Sequence, residues 1–193
     1  MMIGHILQLD QQLFHLLNGE WHNAFFDAIM PYWRDKETWF PLYALFGIFL
    51  AYRYRLRGLY FILAVVLTVG LADLASSQGF KKHVRRLRPC QDTEIQAGAR
   101  LLVGCGRSYS FTSSHAANHF AMAAFIALTL GRIYRRIRWP LFLWAASIAY
   151  GQVYVGVHYP LDVIAGGLLG VLIGIVVAKV YLRVKAVQLE AVA

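Results

Sequence analysis

Charged residues are scarce in this chain of 193 residues: they make up 15% of it, whereas soluble domains carry roughly 25%. Acidic residues are the scarcest, with 10 Asp and Glu against 19 Lys and Arg, so the formal net charge is +9. Hydrophobic types reach 59%, and the mean hydropathy is +0.49. This composition excludes a disordered chain, a coiled coil and a collagen-like chain, and it indicates a compact integral membrane protein.

The basic residues cluster between apolar runs, which gives little support to a nucleic-acid partner. In a membrane protein, such an excess suggests orientation signals, anionic lipid head groups or an anionic substrate. The first Lys or Arg is Arg34, so the N-terminus lacks the early basic region of a cleavable signal peptide. Residues 3–33 are amphipathic, and we expect helices that lie at the membrane interface or pack against the bundle; a membrane crossing is the alternative.

Five nearly uncharged runs predict five transmembrane helices, because about 20 apolar residues span a bilayer. The runs are 38–52, 58–80, 108–131, 139–161 and 163–182. The expected fold class is an all-α polytopic membrane protein with a single domain, 1–193, made of interfacial helices (1–37) and a transmembrane bundle (38–185) that includes a long loop (81–110). In the last run, close helix packing inside the bundle is expected, with a dimer face as the alternative, at Gly166, Gly167, Gly170 and Gly174.

Loop charges give the expected orientation. Three basic clusters, at 53–57, 132–138 and 183–185, fall on one side of the membrane if the five runs alternate. The positive-inside rule makes that side cytoplasmic. The opposite side carries the loop 81–110, which is also basic, so this orientation depends on the charge of that loop serving chemistry.

The first chemical motif is the basic run KKHVRRLRP at 81–89. If the second helix continues through it, Lys81, Arg85 and Arg88 share one face, and Pro89 turns the chain after them. Arg can bind two phosphate oxygens at once, while Lys provides a point charge. The run therefore predicts a phosphate-binding surface, although a solvated loop that touches lipid head groups would have the same composition.

The second motif is the hydroxyl-rich run SFTSSHAA at 110–117, where the third predicted helix begins. Ser113 or Ser114 can cap that helix, and the free N–H groups of a helix N-terminus form a natural anion site. His115 would then lie in the first turn and face the bound anion. The alternative is a capping run followed by an interfacial histidine.

The third motif is GQVYVGVHYPLD at 151–162. Pro160 suits the first turn of a helix, so His158 precedes the last predicted helix and Asp162 lies in its first turn. Asp162 is also the only acid between Glu94 and Glu190. A carboxylate that holds one imidazole nitrogen leaves the other free to act as nucleophile or base. A structural helix cap is the alternative explanation for Asp162.

Together the three motifs resemble the type 2 phosphatidic acid phosphatase superfamily, the membrane lipid phosphate phosphatases that are related to vanadium haloperoxidases. That family carries Lys-x6-Arg-Pro, Pro-Ser-Gly-His and Ser-Arg-x5-His-x3-Asp. The resemblance covers about residues 60–180, and the matching residues are Lys81, Arg88, Pro89, Ser113, His115, His158 and Asp162. Thr112 and Ser114 replace the Pro and Gly of the second motif, and Gly151-Gln152 replaces the Ser-Arg pair of the third.

The resemblance implies an all-α, haloperoxidase-like helical bundle core and a phosphatase that uses neither a metal nor another cofactor. His158 would attack phosphorus and become a phosphohistidine, with Asp162 orienting it. His115 would protonate the leaving oxygen and then activate water. The groups expected to hold the phosphate are Lys81, Arg88, Ser113 and the N–H groups near Ser114.

Gln152 is the main departure from the family pattern, because it keeps hydrogen-bonding capacity at the arginine position but supplies no charge. We count Gln152 among the substrate-binding candidates. We also expect Arg85 or Lys82 to compensate for the missing charge, since both lie beside Lys81 and Arg88. A degenerate protein that binds lipid phosphate without catalysis is the alternative that this departure favours.

By family analogy the first choice of substrate is undecaprenyl diphosphate, hydrolysed at the periplasmic surface of a bacterial inner membrane. Phosphatidylglycerophosphate, phosphatidate and lipid A phosphate are alternatives, because the motifs recognise phosphate and say little about the lipid. A lipid phosphotransferase and a non-catalytic lipid-phosphate binding protein are the rival functions. The expected partners are the lipid phosphate and the bilayer, without nucleic acid, and the oligomeric state stays open.

Both cysteines of the chain, Cys90 and Cys105, lie in or beside the long loop. If that loop faces an oxidising compartment, the two can pair and close the loop around the site. Two free thiols are the alternative.

Overall fold

The structure is a computed structural model that describes residues 2–189, with side chains from residue 4 onward. In this part, the chain forms eight α-helices and no β-strand. The helices are α1 (Met2–Phe14), α2 (Ala24–Trp33), α3 (Lys36–Tyr54), α4 (Leu56–Leu74), α5 (Lys82–Val84), α6 (Ser114–Leu128), α7 (Arg138–Tyr154) and α8 (Pro160–Tyr181). Residue 1, residues 190–193 and the side chain of Ile3, which belong to the predicted domain, lie outside the described part.

Two π-helical turns extend these helices. The turn His15–Glu20 follows α1, and the turn Ala75–Lys81 joins α4 to α5, so that one helical run extends over Leu56–Val84. Short 3-10 turns occur at Gln96–Gly98, Leu130–Arg132, Arg135–Ile137 and Lys185–Val187. Lys81 therefore lies near the end of a long helical run, where the loop with the basic motif begins.

Each of the five apolar runs contains a helix, in the order α3, α4, α6, α7 and α8. Two helical runs between residues 2 and 189, Leu56–Val84 and Pro160–Tyr181, are long and apolar enough to cross a membrane. The all-helical fold is therefore confirmed with two candidate spans, and the other three spans stay a prediction.

Two helices are shorter than the apolar runs that predict them, and local backbone chemistry explains both. The cap at Ser113 is one of the two that the sequence predicts. The third apolar run becomes helical only at Ser114, because Ser113 caps the helix there: its Oγ accepts from Ala116 N at 3.4 Å. The fourth run leaves the helix after Tyr154, because Gly156 adopts a φ of 87° and turns the chain.

Helices α6 and α8 pack backbone to backbone. A Cβ added to Gly166 would lie 2.5 Å from Ser113 O, and one added to Gly170 would lie 2.2 Å from Ala117 O. Gly174 is equally tight against α6. No side chain fits at such separations, so the prediction that these glycines pack inside the bundle is confirmed. The contact places the start of α6 beside the start of α8, which brings the second and third motifs together.

An apolar core joins α3, α4, α6 and α8. Phe61 is fully buried in it, with its ring 5.3 Å from that of Phe125 and 5.9 Å from that of Tyr181. Large apolar side chains face outward around this core, among them Leu45, Ile48, Leu63, Leu67, Leu168, Leu172 and Val176. An exposed apolar belt of this kind is typical of a surface that contacts lipid.

The N-terminal helices pack against the bundle and the long loop. Phe14 of α1 is fully buried, and its ring lies 5.4 Å from that of Tyr159. Asn18 donates to Tyr154 O at 2.7 Å and accepts from Arg100 N at 2.7 Å. Packing against the bundle, one of the arrangements expected for residues 3–33, is thus present in the structure.

The long loop between α5 and α6 is fastened at two points. Cys90 and Cys105 are joined by a disulfide, with an S–S distance of 2.06 Å, so the paired arrangement is the one observed. Arg100 forms an ion pair with Asp27 of α2 at 2.6 Å. These ties hold the basic motif in place over the ends of α6 and α8.

Candidate active site

His158 lies between α7 and α8, with 1% of its surface exposed. Its Nδ1 is 3.5 Å from Asp162 Oδ2 and 3.3 Å from Ser110 Oγ. Its Nε2 is 3.3 Å from a guanidinium nitrogen of Arg88. The predicted contact between imidazole and carboxylate is therefore present, and it holds the ring with Nε2 next to Arg88.

The His158 ring is neutral at neutral pH. Burial lowers the pKa of His158 to about 4, and the hydrogen bond to Asp162 offsets only part of this effect. A neutral imidazole whose Nδ1–H points at a carboxylate keeps a lone pair on Nε2. Nε2 is thus the atom with nucleophilic character.

Asp162 has no exposed surface, and protein donors satisfy both of its oxygens. Oδ1 accepts from Arg86 at 2.9 Å, and Oδ2 accepts from Tyr159 N at 2.9 Å and from the hydroxyl of Ser110. The bond from Tyr159 N also caps α8, so the carboxylate both caps the helix and contacts the imidazole. Its orientation is fixed from several directions.

Arg86 connects Asp162 to the N-terminal helix. Its second terminal nitrogen donates to Asp10 Oδ2 at 2.6 Å, and its Cζ lies 3.9 Å from the centre of the Tyr159 ring. Asp10, 4% exposed, in turn accepts from Leu161 N at 2.7 Å. Neither Arg86 nor Asp10 is among the site residues that the sequence predicts. The signal that could have identified Asp10 is its place as the acidic residue of α1, in a chain that has few acids.

Arg88 is 8% exposed and is held by protein acceptors on two sides. Its Nε donates to Ser108 O at 2.8 Å and a terminal nitrogen donates to Ser108 Oγ at 3.0 Å, while the other terminal nitrogen donates to Val157 O at 3.0 Å. Gly106 packs against the guanidinium, since a Cβ there would lie 3.3 Å from Cζ. The first motif thus places a rigidly held cation, the Arg88 guanidinium, beside His158.

Lys81 is buried to the same extent, with 8% of its surface exposed. Its ammonium group makes no hydrogen bond or ion pair with any residue in the described part of the chain. Lys81 interacts electrostatically with Arg88, Asp73 and Asp162, so it belongs to the same site. Because a buried charge without a partner is costly, this position suits a group that receives an anion.

Arg85 does not join Lys81 and Arg88 on one helical face, so that prediction is wrong. Helix α5 ends one residue earlier, and Arg85 adopts a φ of 51°. Its side chain is exposed and donates from Nε to Lys82 O at 3.1 Å. Lys82 is exposed as well. Neither cation is placed to supply the charge that Gln152 lacks.

The start of α6 lies against Asp162. Ser113 N donates to Asp162 O at 3.0 Å, and Ser114 Oγ is 3.0 Å from Ser76 Oγ. His115 is half-buried in the first turn, and its ring makes no hydrogen bond within the part of the chain that the structure describes. The N–H groups of a first helical turn have no acceptor within the helix, so this end of α6 can receive an anion.

Gln152 is fully buried in α7. Its Nε2 donates to Arg34 O, at the junction of α2 and α3, at 3.3 Å. Its Oε1 has no hydrogen-bond partner among residues 4–189. The side chain at the family's arginine position is therefore directed at another segment of the chain.

A groove of about 430 Å³ runs between α3, α4 and α6 and reaches His115. Most of its lining is apolar and includes Phe40, Phe46, Val65, Val69, Met122 and Ile126. Its polar end holds Asp73 and Asn118, where Asn118 Nδ2 donates to Asp73 Oδ1 at 3.3 Å. This hydrogen bond joins α4 to α6. The groove thus combines an apolar channel with the candidate catalytic histidine.

No group of three His, Cys, Asp or Glu side chains within residues 4–189 is placed to hold a metal ion. What the described residues bring together is a neutral imidazole whose Nε2 faces Arg88, two buried cations and a capped helix start. This arrangement can support nucleophilic attack on a bound phosphate.

Comparisons with known proteins agree with this chemistry. The PAP2 superfamily model matches residues 57–186, more than half of the chain. A lipid A 4'-phosphatase of Porphyromonas gingivalis is 32% identical over 189 residues, which covers 94% of this chain and 77% of that protein. A lipid A 4'-phosphatase of Bacteroides thetaiotaomicron is also 32% identical, over 88% of this chain and 75% of its own. An undecaprenyl-diphosphatase of Sulfolobus acidocaldarius is 30% identical, over 70% of this chain and 59% of its own.

Two solved structures have the same fold. LpxE of Aquifex aeolicus superposes with a TM-score of 0.70 at 26% identity, covering 89% of this chain and 95% of that one. The first transmembrane PAP2 type phosphatidylglycerolphosphate phosphatase from Bacillus subtilis gives a TM-score of 0.73 at 21% identity, covering 94% and 88%. The all-helical fold described above is therefore PAP2-like.

Proposed function

The chain belongs to the PAP2 superfamily and is a membrane hydrolase of lipid phosphates, and we propose that its substrate is lipid A, from which it removes the 4'-phosphate. The observation that carries this proposal is the pair of lipid A 4'-phosphatases that match nearly the whole chain at 32% identity. The undecaprenyl-diphosphatase match covers less of both chains. Lipid A phosphate, an alternative in the sequence analysis, is thus favoured over undecaprenyl diphosphate, the first choice there.

His158 is the nucleophile in this proposal. Its Nε2 attacks phosphorus, a nitrogen–phosphorus bond forms, and the bond from phosphorus to the lipid oxygen breaks. Asp162 and Ser110 hold Nδ1, so the ring presents Nε2 in one orientation. The low pKa of His158 supports this role, because the ring needs no deprotonation before attack.

His115 is the general acid and base. It protonates the leaving lipid oxygen, then takes a proton from the water that attacks the phosphohistidine and releases inorganic phosphate. Its ring has no hydrogen-bond partner within residues 4–189, so it is free to contact the substrate. Its place in the first turn of α6 sets it at the mouth of the groove.

The phosphate oxygens are held by Lys81, Arg88, Ser113 and the N–H groups at the start of α6. Arg88 is rigid, and Lys81 makes no hydrogen bond or ion pair with the described residues, although Asp73 and Asp162 act on its charge. Preorganised donors of this kind stabilise the charge that develops on a transferring phosphoryl group. No step requires a metal ion.

The groove between α3, α4 and α6 receives an acyl chain of the lipid. Its apolar lining suits a hydrocarbon tail, and its end at His115 places the head group at the site. The five helices would all span the membrane, with α1 and α2 at its interface. The disulfide in the long loop suits an oxidising compartment. We therefore assign the site to the periplasmic face of a bacterial inner membrane.

A phosphate-release panel tests the proposed substrate. Purified protein in detergent is given lipid A, undecaprenyl diphosphate, phosphatidylglycerophosphate and phosphatidate at matched mole fractions, with a chelator present. Lipid A should give the highest kcat/KM, and mass spectrometry of the product should locate the loss at the 4'-position. Faster release from undecaprenyl diphosphate would restore that substrate as the leading candidate.

The same panel separates the rival functions. A lipid phosphotransferase would move labelled phosphate to a second lipid and release little inorganic phosphate. A protein that only binds lipid phosphate would release none from any of the four substrates. The proposal requires inorganic phosphate as the main product.

A further inference from the structure

Residues 151 and 152, where the family pattern has Ser and Arg, pack against Arg34. A Cβ added to Gly151 would lie 3.0 Å from Arg34 Cβ, so the small residue leaves room for the Arg34 stem. Gln152 Nε2 donates to Arg34 O at 3.3 Å. Both departures from the pattern therefore contact one residue, from a segment 118 positions earlier in the chain.

Arg34 lies at a fixed point of the backbone, between α2 and α3. Its N–H donates to Met30 O at 3.1 Å and closes α2, while Asp35 caps α3. Together with the bond from Gln152, these contacts anchor the Arg34 backbone at both its N–H and its carbonyl. The side chain therefore extends from a rigid base.

The Arg34 guanidinium makes no hydrogen bond to the described residues. Its Nε is buried without a hydrogen bond, and the side chain forms no ion pair with any residue between 4 and 189. A guanidinium group stays charged in proteins, and Asp35 offsets this charge electrostatically without forming an ion pair with it. Such a group is costly unless a ligand pairs with it.

The contacts with Gly151 and Gln152 place Arg34 beside the position where the family pattern has its arginine. Arg34 interacts electrostatically with Arg88 and with His115. Of the acids near the site, Asp162 is already engaged by Arg86, which leaves Arg34 and Lys81 as buried or half-buried cations without a hydrogen-bonded partner. One of these cations interacts with His158 and the other with His115, and together they suit a doubly charged anion such as phosphate.

We propose that Arg34 is a phosphate-binding residue, and that it supplies from the α2–α3 junction the guanidinium that the family pattern has at position 152. Gly151 makes space for its stem and Gln152 holds its backbone. The planar guanidinium donates two N–H bonds to phosphoryl oxygens and balances the charge that grows there during transfer. This inference rests on the proposed function, since it assigns a further residue to the same phosphate site.

The test measures orthovanadate affinity and phosphate release for Arg34→Ala, Arg34→Lys and the double variant Arg34→Ala/Gln152→Arg. Arg34→Ala should weaken orthovanadate binding and lower kcat/KM by roughly 10²-fold or more, as removal of one transition-state donor does. Arg34→Lys should keep part of both. The double variant should recover part of both, because it returns a guanidinium to the family position. The control is Arg135→Ala, which removes an exposed arginine before α7.

Thermal unfolding of each variant in detergent accompanies these measurements, so that loss of fold is recognised. The inference is wrong if Arg34→Ala binds orthovanadate and releases phosphate like the wild type. It is also wrong if Arg34→Ala loses both while neither Arg34→Lys nor the double variant recovers any binding, since Arg34 would then act through packing. Wild-type protein that binds no orthovanadate would overturn it too.

The outcomes distinguish this inference from the proposed function. If the wild type binds orthovanadate through Arg34 but hydrolyses none of the four lipids, the proposed function fails and the phosphate site stands. If the wild type hydrolyses lipid A and Arg34→Ala does so equally well, the function stands and Arg34 has no part in it.

Discussion

Two sides of the site differ in how their charges are satisfied. On the closed side, Arg86 bridges Asp162 and Asp10 at 2.9 and 2.6 Å, and every one of these charged groups has a protein partner. On the open side, the buried Lys81 and the half-buried Arg34 donate no side-chain hydrogen bond to any described residue. The site thus contains one set of charged groups that are paired with each other (the saturated set) and one set without hydrogen-bonded protein partners (the unsaturated set).

This difference assigns different tasks to the two sides. A saturated ion network fixes geometry, and here it holds the carboxylate that orients His158. An unsaturated set of cations raises the free energy of the empty site and lowers it once an anion binds. We therefore expect substitutions on the closed side to reduce stability first, and substitutions on the open side to reduce phosphate binding first.

The largest effect is expected at His158, where the two sides meet. His158→Ala removes the nucleophile, so kcat for phosphate release should fall by at least about 10⁴-fold. His5→Ala, which removes an exposed histidine of α1, is the matched control and should keep wild-type kcat. A His158→Ala protein with more than a few per cent of wild-type kcat would contradict the assigned mechanism.

On the open side, Lys81→Ala should lower kcat/KM by about 10²–10³-fold, because one phosphate donor is lost. Its melting temperature should stay the same or rise, since the substitution also removes a buried charge without a partner. Lys179→Ala, at an exposed position of α8, serves as the control. A clear drop in melting temperature would mean that Lys81 has a structural partner and does not belong to an open side.

On the closed side, Asp10→Ala should reduce the free energy of unfolding by about 3 kcal/mol, because it breaks a buried ion pair and leaves Arg86 with one partner. Activity should fall through kcat, as His158 loses its fixed orientation, while orthovanadate affinity changes little. Thermal unfolding and binding are measured side by side, with Glu20→Ala as an exposed control. Loss of orthovanadate affinity without loss of stability would contradict this prediction, because Asp10 would then act in phosphate binding and not in holding the structure.

Removal of the disulfide should have the smallest effect on phosphate release. It closes a loop with a sequence separation of 15, for which the chain-entropy model gives up to about 3 kcal/mol of stabilisation. The double variant Cys90→Ser/Cys105→Ser should therefore unfold at a lower temperature. Phosphate release at low temperature should persist, because the ion pair of Arg100 with Asp27 still fastens the loop. Unchanged unfolding would show that the loop is held by those other contacts alone.

The sequence could predict the parts of the site that depend on short spacings. Lys81, Arg88, His158 and Asp162 were identifiable because they match a known pattern of residue types at short, fixed spacings. Arg85 was misplaced because the chain leaves the helix just before it, a change that neither charge nor hydropathy signals.

Residues that act across long separations were missed. Asp10 lies 76 positions from Arg86, and Arg34 lies 118 positions from Gln152. No periodicity connects such pairs, because they meet only through the packing of α1 and α2 against the bundle. The missing charge at Gln152 was visible in the sequence, but the residue beside it was visible only in the fold.

The most direct test of the mechanism is to trap the phosphorylated enzyme. Protein is mixed with lipid A carrying labelled 4'-phosphate in the presence of a chelator, the reaction is stopped with alkali within milliseconds, and the peptides are analysed by mass spectrometry. We expect an acid-labile, alkali-stable phosphate on His158 that is absent in His158→Ala. Turnover of lipid A with no label on His158 at any time point would contradict it.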